Sequence, residues 1–146
     1  MGESVWEVTH SVECAAPRES AWNYWTNPQN WDDPPARFAF DGPFAVGTRL
    51  TTLLPGQKLE STIREIVCGS EALIEMDLAR ATVQFRWRFE ALGKQRTRIT
   101  QTISLGGREG ASLVEQAKVL EQSVPHGMRK LAAAIERQWA SEPGTG

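Results

Sequence analysis

Apolar and polar positions along this chain follow two different periods. Through most of its length they alternate. Val83, Phe85, Trp87 and Phe89 share one phase, and Gln84, Arg86, Arg88 and Glu90 the other, as on a strand with one buried face. Near the end the period changes. Leu113, Ala117, Leu120, Val124, Met128, Leu131, Ile135 and Trp139 are separated by three or four residues each, which places them along one face of a long helix. A long helix laid across one face of a curved antiparallel sheet tends to leave a cavity between them.

The first strand is Val5 to Cys14, with Trp6, Val8, His10 and Val12 on its apolar phase. Pro17 suits a first helical position, and a short helix to about Trp25 follows, with Ala21, Trp22 and Trp25 on one side. Asn27-Pro28 starts a second small helix that closes at Trp31 and ends in Asp32-Asp33-Pro34-Pro35. Strands are expected at Ala36–Asp41, Gly47–Leu54, Lys58–Val67, Glu71–Ala79, Thr82–Leu92 and Arg96–Leu105, separated by Gly- and Pro-containing turns. A tight turn near Gly93 would set Trp87 opposite Ile99 and Glu90 opposite Arg96. A turn at Ala79–Thr82 would set Ile74 opposite Trp87 and Met76 opposite Phe85. This register leaves Arg88 facing Arg98. Ser112 and Glu115 have capping-box spacing for the last helix, and Pro125 is expected to divide that helix, with the longer packed segment from about Gly127 to Trp139.

The order of these elements resembles the START-like, helix-grip (SRPBCC, Bet v 1-like) superfamily, in its polyketide cyclase/dehydrase and lipid-transport branch. The run APRESAWNYWTNPQNWDD looks like that family's opening helices, GPFAVGTRL like its second-to-third strand junction, TRIT like the start of its last strand, and SVPHGMRKLAAAIE like its final helix. The resemblance covers nearly the whole chain. It implies an α+β fold in which a seven-stranded curved antiparallel sheet wraps a long C-terminal helix around an apolar cavity, with two short helices after strand one. Residues 1–140 would form one ligand-binding domain, and 141–146, rich in Gly and Pro, a disordered tail. The fold does not by itself select a function, because it hosts binding proteins, cyclases and co-chaperones.

Composition removes several alternatives. At 146 residues one domain can bury about two-thirds of its unfolded surface without staples. A net charge of −2 with interspersed signs argues against a nucleic-acid partner. Two cysteines and two histidines cannot assemble a zinc site of recognised spacing, and no other metal or cofactor is indicated. Cys14 and Cys68 read as small packing residues, with a single bridge left open. The absence of a long apolar stretch argues against a membrane span and for a cytoplasmic protein. Whether it forms a homodimer is left open.

The expected pocket lining combines the apolar phases with the implied grip. The ligand-binding candidates are His10, Trp25, Trp31, Phe38, Thr52, Met76, Phe85, Trp87, Gln101, Ile103 and Met128, with Trp6, Val8, Phe40 and Leu50 beside them. Most positions of this kind are core. His10 is the one titrating group on an inward phase, and Gln101 its one potential partner. An acid–base site usually needs more than that, so no catalytic residue is assigned. The leading function is binding, or transport, of a small, largely apolar molecule such as a lipid or polyketide. The alternatives are a polyketide cyclase/dehydrase-type lyase using His10, and a co-chaperone-like interaction protein. For the last, Arg86, Arg88, Arg96 and Arg98 would offer a basic outer patch to an acidic partner. Gly106–Gly110 could be read as an anion cradle, though a strand-to-helix turn fits it better.

Overall fold

The fold was analysed in a computed structural model, which describes residues 5–32, 36–78 and 80–141. The expectations for Asp33-Pro34-Pro35, for Ala79, for the side chain of Leu120 and for the tail from 142 onward lie outside the described residues. The chain runs β1 (Trp6–Cys14), α1 (Arg18–Trp25), a 3-10 turn (Pro28–Asn30), β2 (Arg37–Phe40), β3 (Arg49–Leu54), β4 (Gln57–Val67), β5 (Glu71–Asp77), β6 (Thr82–Gly93), β7 (Arg96–Gly106), a second 3-10 turn (Gly110–Leu113) and α2 (Val114–Ser141). All seven strands form one antiparallel sheet in the order β1-β7-β6-β5-β4-β3-β2. This is the helix-grip fold.

Local chemistry accounts for the short elements. Pro17 caps α1 in an extended conformation, one residue earlier than expected. Asn27 accepts the Gln29 amide hydrogen at 3.0 Å with Pro28 at the first helical position, as its sequence suggests. The Ser112 hydroxyl sits in the second 3-10 turn and donates to the Glu109 carbonyl at 2.8 Å, so the expected capping box does not begin α2.

The register differs from expectation by two residues at both hairpins. Trp87 pairs with Gln101 and Ala72, Phe89 with Ile99, Phe85 with Ile103 and Ile74, and Met76 with Val83. A bulge between Ala91 and Gly93 and a four-residue turn after Asp77 cause the shifts. A slip of two preserves the side-chain phase, so every inward residue still faces inward. It also removes the conflict between Arg88 and Arg98. Arg88 now faces Glu71 and Thr100, and Arg98 faces Glu13 and Glu90. A second bulge, between Ile63 and Glu65, switches phase within β4 and lets both Ile63 and Ile66 face the core.

The convex face is therefore a lattice of ion pairs. Arg64 meets Glu75, Arg86 meets Glu65, Arg88 meets Glu71 at 3.4 Å, and Glu13 receives both Arg96 and Arg98. The basic patch expected from Arg86, Arg88, Arg96 and Arg98 is neutralised in place.

The concave face holds the core. Ile63, Ile74, Phe89, Ile99, Trp22, Met128, Ala132 and Ile135 are buried together between sheet, α1 and α2. The expected packed segment of α2 after Gly127 is present. The expected division at Pro125 is not, because the helix runs unbroken for 28 residues. Proline in a helix interior costs about 3 kcal/mol. Burial of Met128, Ala132 and Ile135 beyond it offsets that cost, whereas Leu113, Ala117 and Val124 before it are only half-buried. The Glu136 carboxylate accepts the Ala15 amide hydrogen at 2.7 Å and anchors α2 to the end of β1.

The Glu13 carboxyl is held below its ordinary value of 4.5 by its hydrogen bond to Arg96, then by the charges of Arg96 and Arg98. A depressed pKa contributes stability above the unfolded value, and that contribution is lost as pH falls through the folded value. Glu13→Gln should therefore melt slightly below the wild type at pH 7. Thermal melts of the two proteins should converge on acidification below pH 4.5. A gap that persists at low pH would show that Glu13 acts through packing.

Candidate functional site: an aromatic cavity under the C-terminal helix

Six aromatic side chains from four segments converge at one end of the concave face. Trp25 is their centre. Its ring centroid lies 5.0 Å from Trp87, 4.9 Å from Phe44, 5.7 Å from Trp31, 5.4 Å from Phe89 and 5.8 Å from Trp22. Trp31 is locked by its indole N–H, which donates to the Trp25 carbonyl at 2.6 Å, and its ring meets Phe38 edge-on at 5.5 Å. Asn30 donates to the Tyr24 carbonyl at 2.9 Å and holds the same turn. The turn that sequence reads as a helix start thus serves as a rigid mount for an aromatic wall.

Beside this wall is a partly open cavity of about 540 Å³. Trp25, Trp31, Phe38 and Trp87 form one side, and Gly127, Leu131, Ala133 and Ala134 of α2 form the other. Tyr24, Asn30, Asp32, Lys130 and Arg137 supply the polar lining. The helix leaves room where Gly127, Ala133 and Ala134 face the cavity. A Cβ placed on Gly127 would meet nothing within 4 Å.

Four of the candidate residues, Trp25, Trp31, Phe38 and Trp87, border this cavity. The other seven lie elsewhere on the inward surfaces. His10 pairs with Gln101, and Gln101 with Trp87, so the three lie in one row across the sheet. Two strand spacings, about 10 Å, separate His10 from Trp87. His10 is half-buried and Gln101 is 8% exposed, and among the described residues neither side chain makes a hydrogen bond. Phe85 and Ile103 form the next row with Val8. Thr52 lies between Phe38 and Leu59. Met76 lies between Ser61 and Val83. Met128 is fully buried core. Sequence reasoning missed Gly127, Lys130, Ala134 and Arg137. Their three- and four-residue spacing marks a second helix stripe, but it is small and charged rather than apolar and so carries no hydrophobic signal.

The other candidate chemistry does not assemble among the described residues. Among the described residues no cluster of His, Cys, Asp or Glu could hold a metal ion. Both cysteines are free, so no bridge forms, and Cys68 is exposed rather than packed. Cys14 is buried, and its thiol is pushed up to about 11, first by desolvation and then by the Glu136 carboxylate. A thiol of that kind is not a nucleophile at neutral pH. At Gly107, φ is +95° and an added Cβ would come within 2.8 Å of the Ala81 Cα. The glycine run is therefore a close-packed strand-to-helix turn rather than an anion cradle.

Residues 5–136 match the family described as polyketide cyclase / dehydrase and lipid transport. The chain belongs to that family. No match was found among curated proteins. Solved structures of similar fold include norcoclaurine synthase from Thalictrum flavum in complex with dopamine and hydroxybenzaldehyde, at 16% identity and a TM-score of 0.72, covering 95% of this chain and 88% of that one. The Zhui aromatase/cyclase from Streptomyces sp. R1128 gives 18% identity and a TM-score of 0.69, with 91% and 94% covered. A START superfamily protein from Mycobacterium smegmatis gives 15% and 0.70, with 90% and 98% covered. At these identities the likeness is one of fold. Membership in the polyketide cyclase/dehydrase and lipid-transport family supports a ligand-binding helix-grip protein. No helix among the described residues is long and apolar enough to cross a membrane.

Two measurements check this geometry. Trp25→Ala should cost about 3–5 kcal/mol in denaturant unfolding, as for a buried tryptophan, and Trp87→Ala clearly less, because one side of Trp87 borders open space. Equal losses would show that the cavity is closed around Trp87. With an aromatic disulfide reagent at pH 7, Cys68 should react at once and Cys14 only on unfolding. Two fast thiols would contradict the burial of Cys14.

Proposed function

We propose that this protein binds, and in that sense carries, a small, largely apolar molecule of lipid or polyketide type in the cavity between its sheet and α2. The observation that supports this most is the pairing of an aromatic wall with a helix face of Gly and Ala. About 540 Å³ lies within the usual range for small-molecule sites. A core evolved only for stability would be filled by larger side chains at Gly127, Ala133 and Ala134, because empty apolar space costs stability. The flat walls of Trp25, Trp31 and Trp87 suit a planar or ring-containing ligand.

The lyase reading rests on His10 and Gln101. An inward imidazole beside an amide can orient a carbonyl or hydroxyl, but the pair lacks the second titrating group that acid–base chemistry normally uses. In this proposal both residues are ligand-orienting groups reached by the far end of a bound molecule, and His10→Ala weakens binding. The co-chaperone reading requires a filled core and an active exterior, and the arginines it would use on the convex face are each paired with a carboxylate of the sheet.

Gly127→Leu tests the proposal. The site is helical and unobstructed, so the variant should fold at least as stably as the wild type, since glycine is about 1 kcal/mol worse than better helix formers. It should also intrude into the cavity from the α2 side. Native mass spectrometry of wild-type protein from its own host should show a retained small molecule, and the Gly127→Leu protein should lack it. A ligand retained equally by both would place binding elsewhere.

A further inference from the structure

Gln101 interrupts an apolar surface. On β7 it stands between Ile99 and Ile103, which are fully buried, while Thr100 and Thr102 turn outward and meet Ser11 and Thr9. Its side chain therefore points to the concave side, where it is 8% exposed. Buried polar groups normally find a partner. The hydroxyls of Thr97 and Thr48 do so, donating to the Ala16 carbonyl at 2.8 Å and the Pro43 carbonyl at 2.6 Å. The Gln101 amide makes no hydrogen bond among the described residues. No fully enclosed side-chain nitrogen or oxygen among those residues lacks a partner, so this amide borders open space. Trp87, which lines the cavity, is its neighbour on β6, about 5 Å away across the sheet, and His10 is its neighbour on β1.

We infer that the ligand carries a neutral group with a donor and an acceptor side by side, a carboxamide or lactam, and that Gln101 reads both. This rests on the cavity reading above and adds the chemistry of the ligand's far end. A glutamine amide presents an accepting oxygen and a donating NH2 on adjacent positions. A carboxamide answers both at once. A carboxylate pairs with the NH2 but sets its second oxygen against Oε1, and a ketone leaves Oε1 without a donor. An ammonium serves Oε1 alone. Each of these leaves a polar atom of a nine-tenths-buried side chain unpaired. A group that displaces water without replacing its hydrogen bonds loses affinity. With the ligand's ring on Trp87, a short linker spans the single strand spacing to Gln101.

The test uses three probes of equal shape, 2-naphthylacetamide, 2-naphthylacetone and 2-naphthylacetate, titrated by calorimetry into wild-type protein and Gln101→Met. The amide should bind the wild type about fivefold tighter than the ketone, the gain of one further neutral hydrogen bond, and should exceed the carboxylate by a wider margin. In Gln101→Met the amide-to-ketone ratio should fall to about one or below. That variant keeps the length of the side chain and removes its polar atoms. It should melt no lower than the wild type, because no protein group loses a partner. Equal binding of amide and ketone by the wild type, tightest binding of the carboxylate, or an amide preference that survives in Gln101→Met overturns the neutral donor–acceptor group. The cavity reading then stands if Gly127→Leu loses the probes. If none of the three binds the wild type, the cavity reading fails and this inference fails with it. Should Gln101→Met not fold, the wild-type ratios decide alone.

Discussion

The indole of Trp25 is the contact on which the arrangement depends. It packs against Trp22 and Phe89 on the core side and against Trp31, Phe44 and Trp87 on the cavity side. One ring thus joins α1, the 3-10 turn, the β2–β3 connection and β6. Tilted and edge-on aromatic pairs each add about 0.5–1.5 kcal/mol beyond area burial. They also have preferred angles, so the cluster sets orientation as well as proximity. Without it the turn carrying Trp31 would keep its own short hydrogen bonds and the ring contacts of Trp31 with Phe38 and Phe40, but the wall of the cavity would lose its attachment to the core.

The opposite wall obeys a different constraint. Helix α2 has to bury Met128, Ala132 and Ile135 deeply enough to tolerate a proline three residues before Met128. It also has to stand off from the aromatic wall. Both conditions are met by dividing the helix surface. Larger apolar residues take the face toward the core, and Gly127, Ala133 and Ala134 take the adjoining face toward the cavity. The Glu136 bond to the Ala15 amide fixes the helix along its axis. Space for a ligand is a consequence of side-chain size on a helix held in place by other contacts.

Charge is distributed by the same logic. On the convex face, cross-strand pairing sets arginines beside glutamates, and exposed pairs of that kind contribute little individually but remove unbalanced charge. Between β1 and β7 the pattern continues with hydroxyls, where Thr9 meets Thr102 at 3.1 Å and Ser11 meets Thr100 at 2.9 Å. At the cavity mouth no strand pairing operates, and the balance is left to the residues that α2 happens to present.

The alternation of Val83–Phe89 and the three-and-four spacing of Leu113–Trp139 were enough to determine the element types, their order and their inward faces. These depend on local periodicity, which a chain carries whatever its tertiary contacts. The strand register was not determined, because a two-residue slip leaves every phase unchanged and the bulge at Ala91–Gly93 has no local signature in the sequence. The continuity of α2 through Pro125 was not legible either, since burial at Met128 and beyond decides whether the helix survives the proline. For the site, the aromatic half could be named in advance, because Trp25, Trp31, Phe38 and Trp87 stand out by size and phase. The helical half could not. Gly127, Ala134 and Arg137 acquire meaning only from what lies across the gap, and a gap is a relation between distant segments that only the folded chain creates.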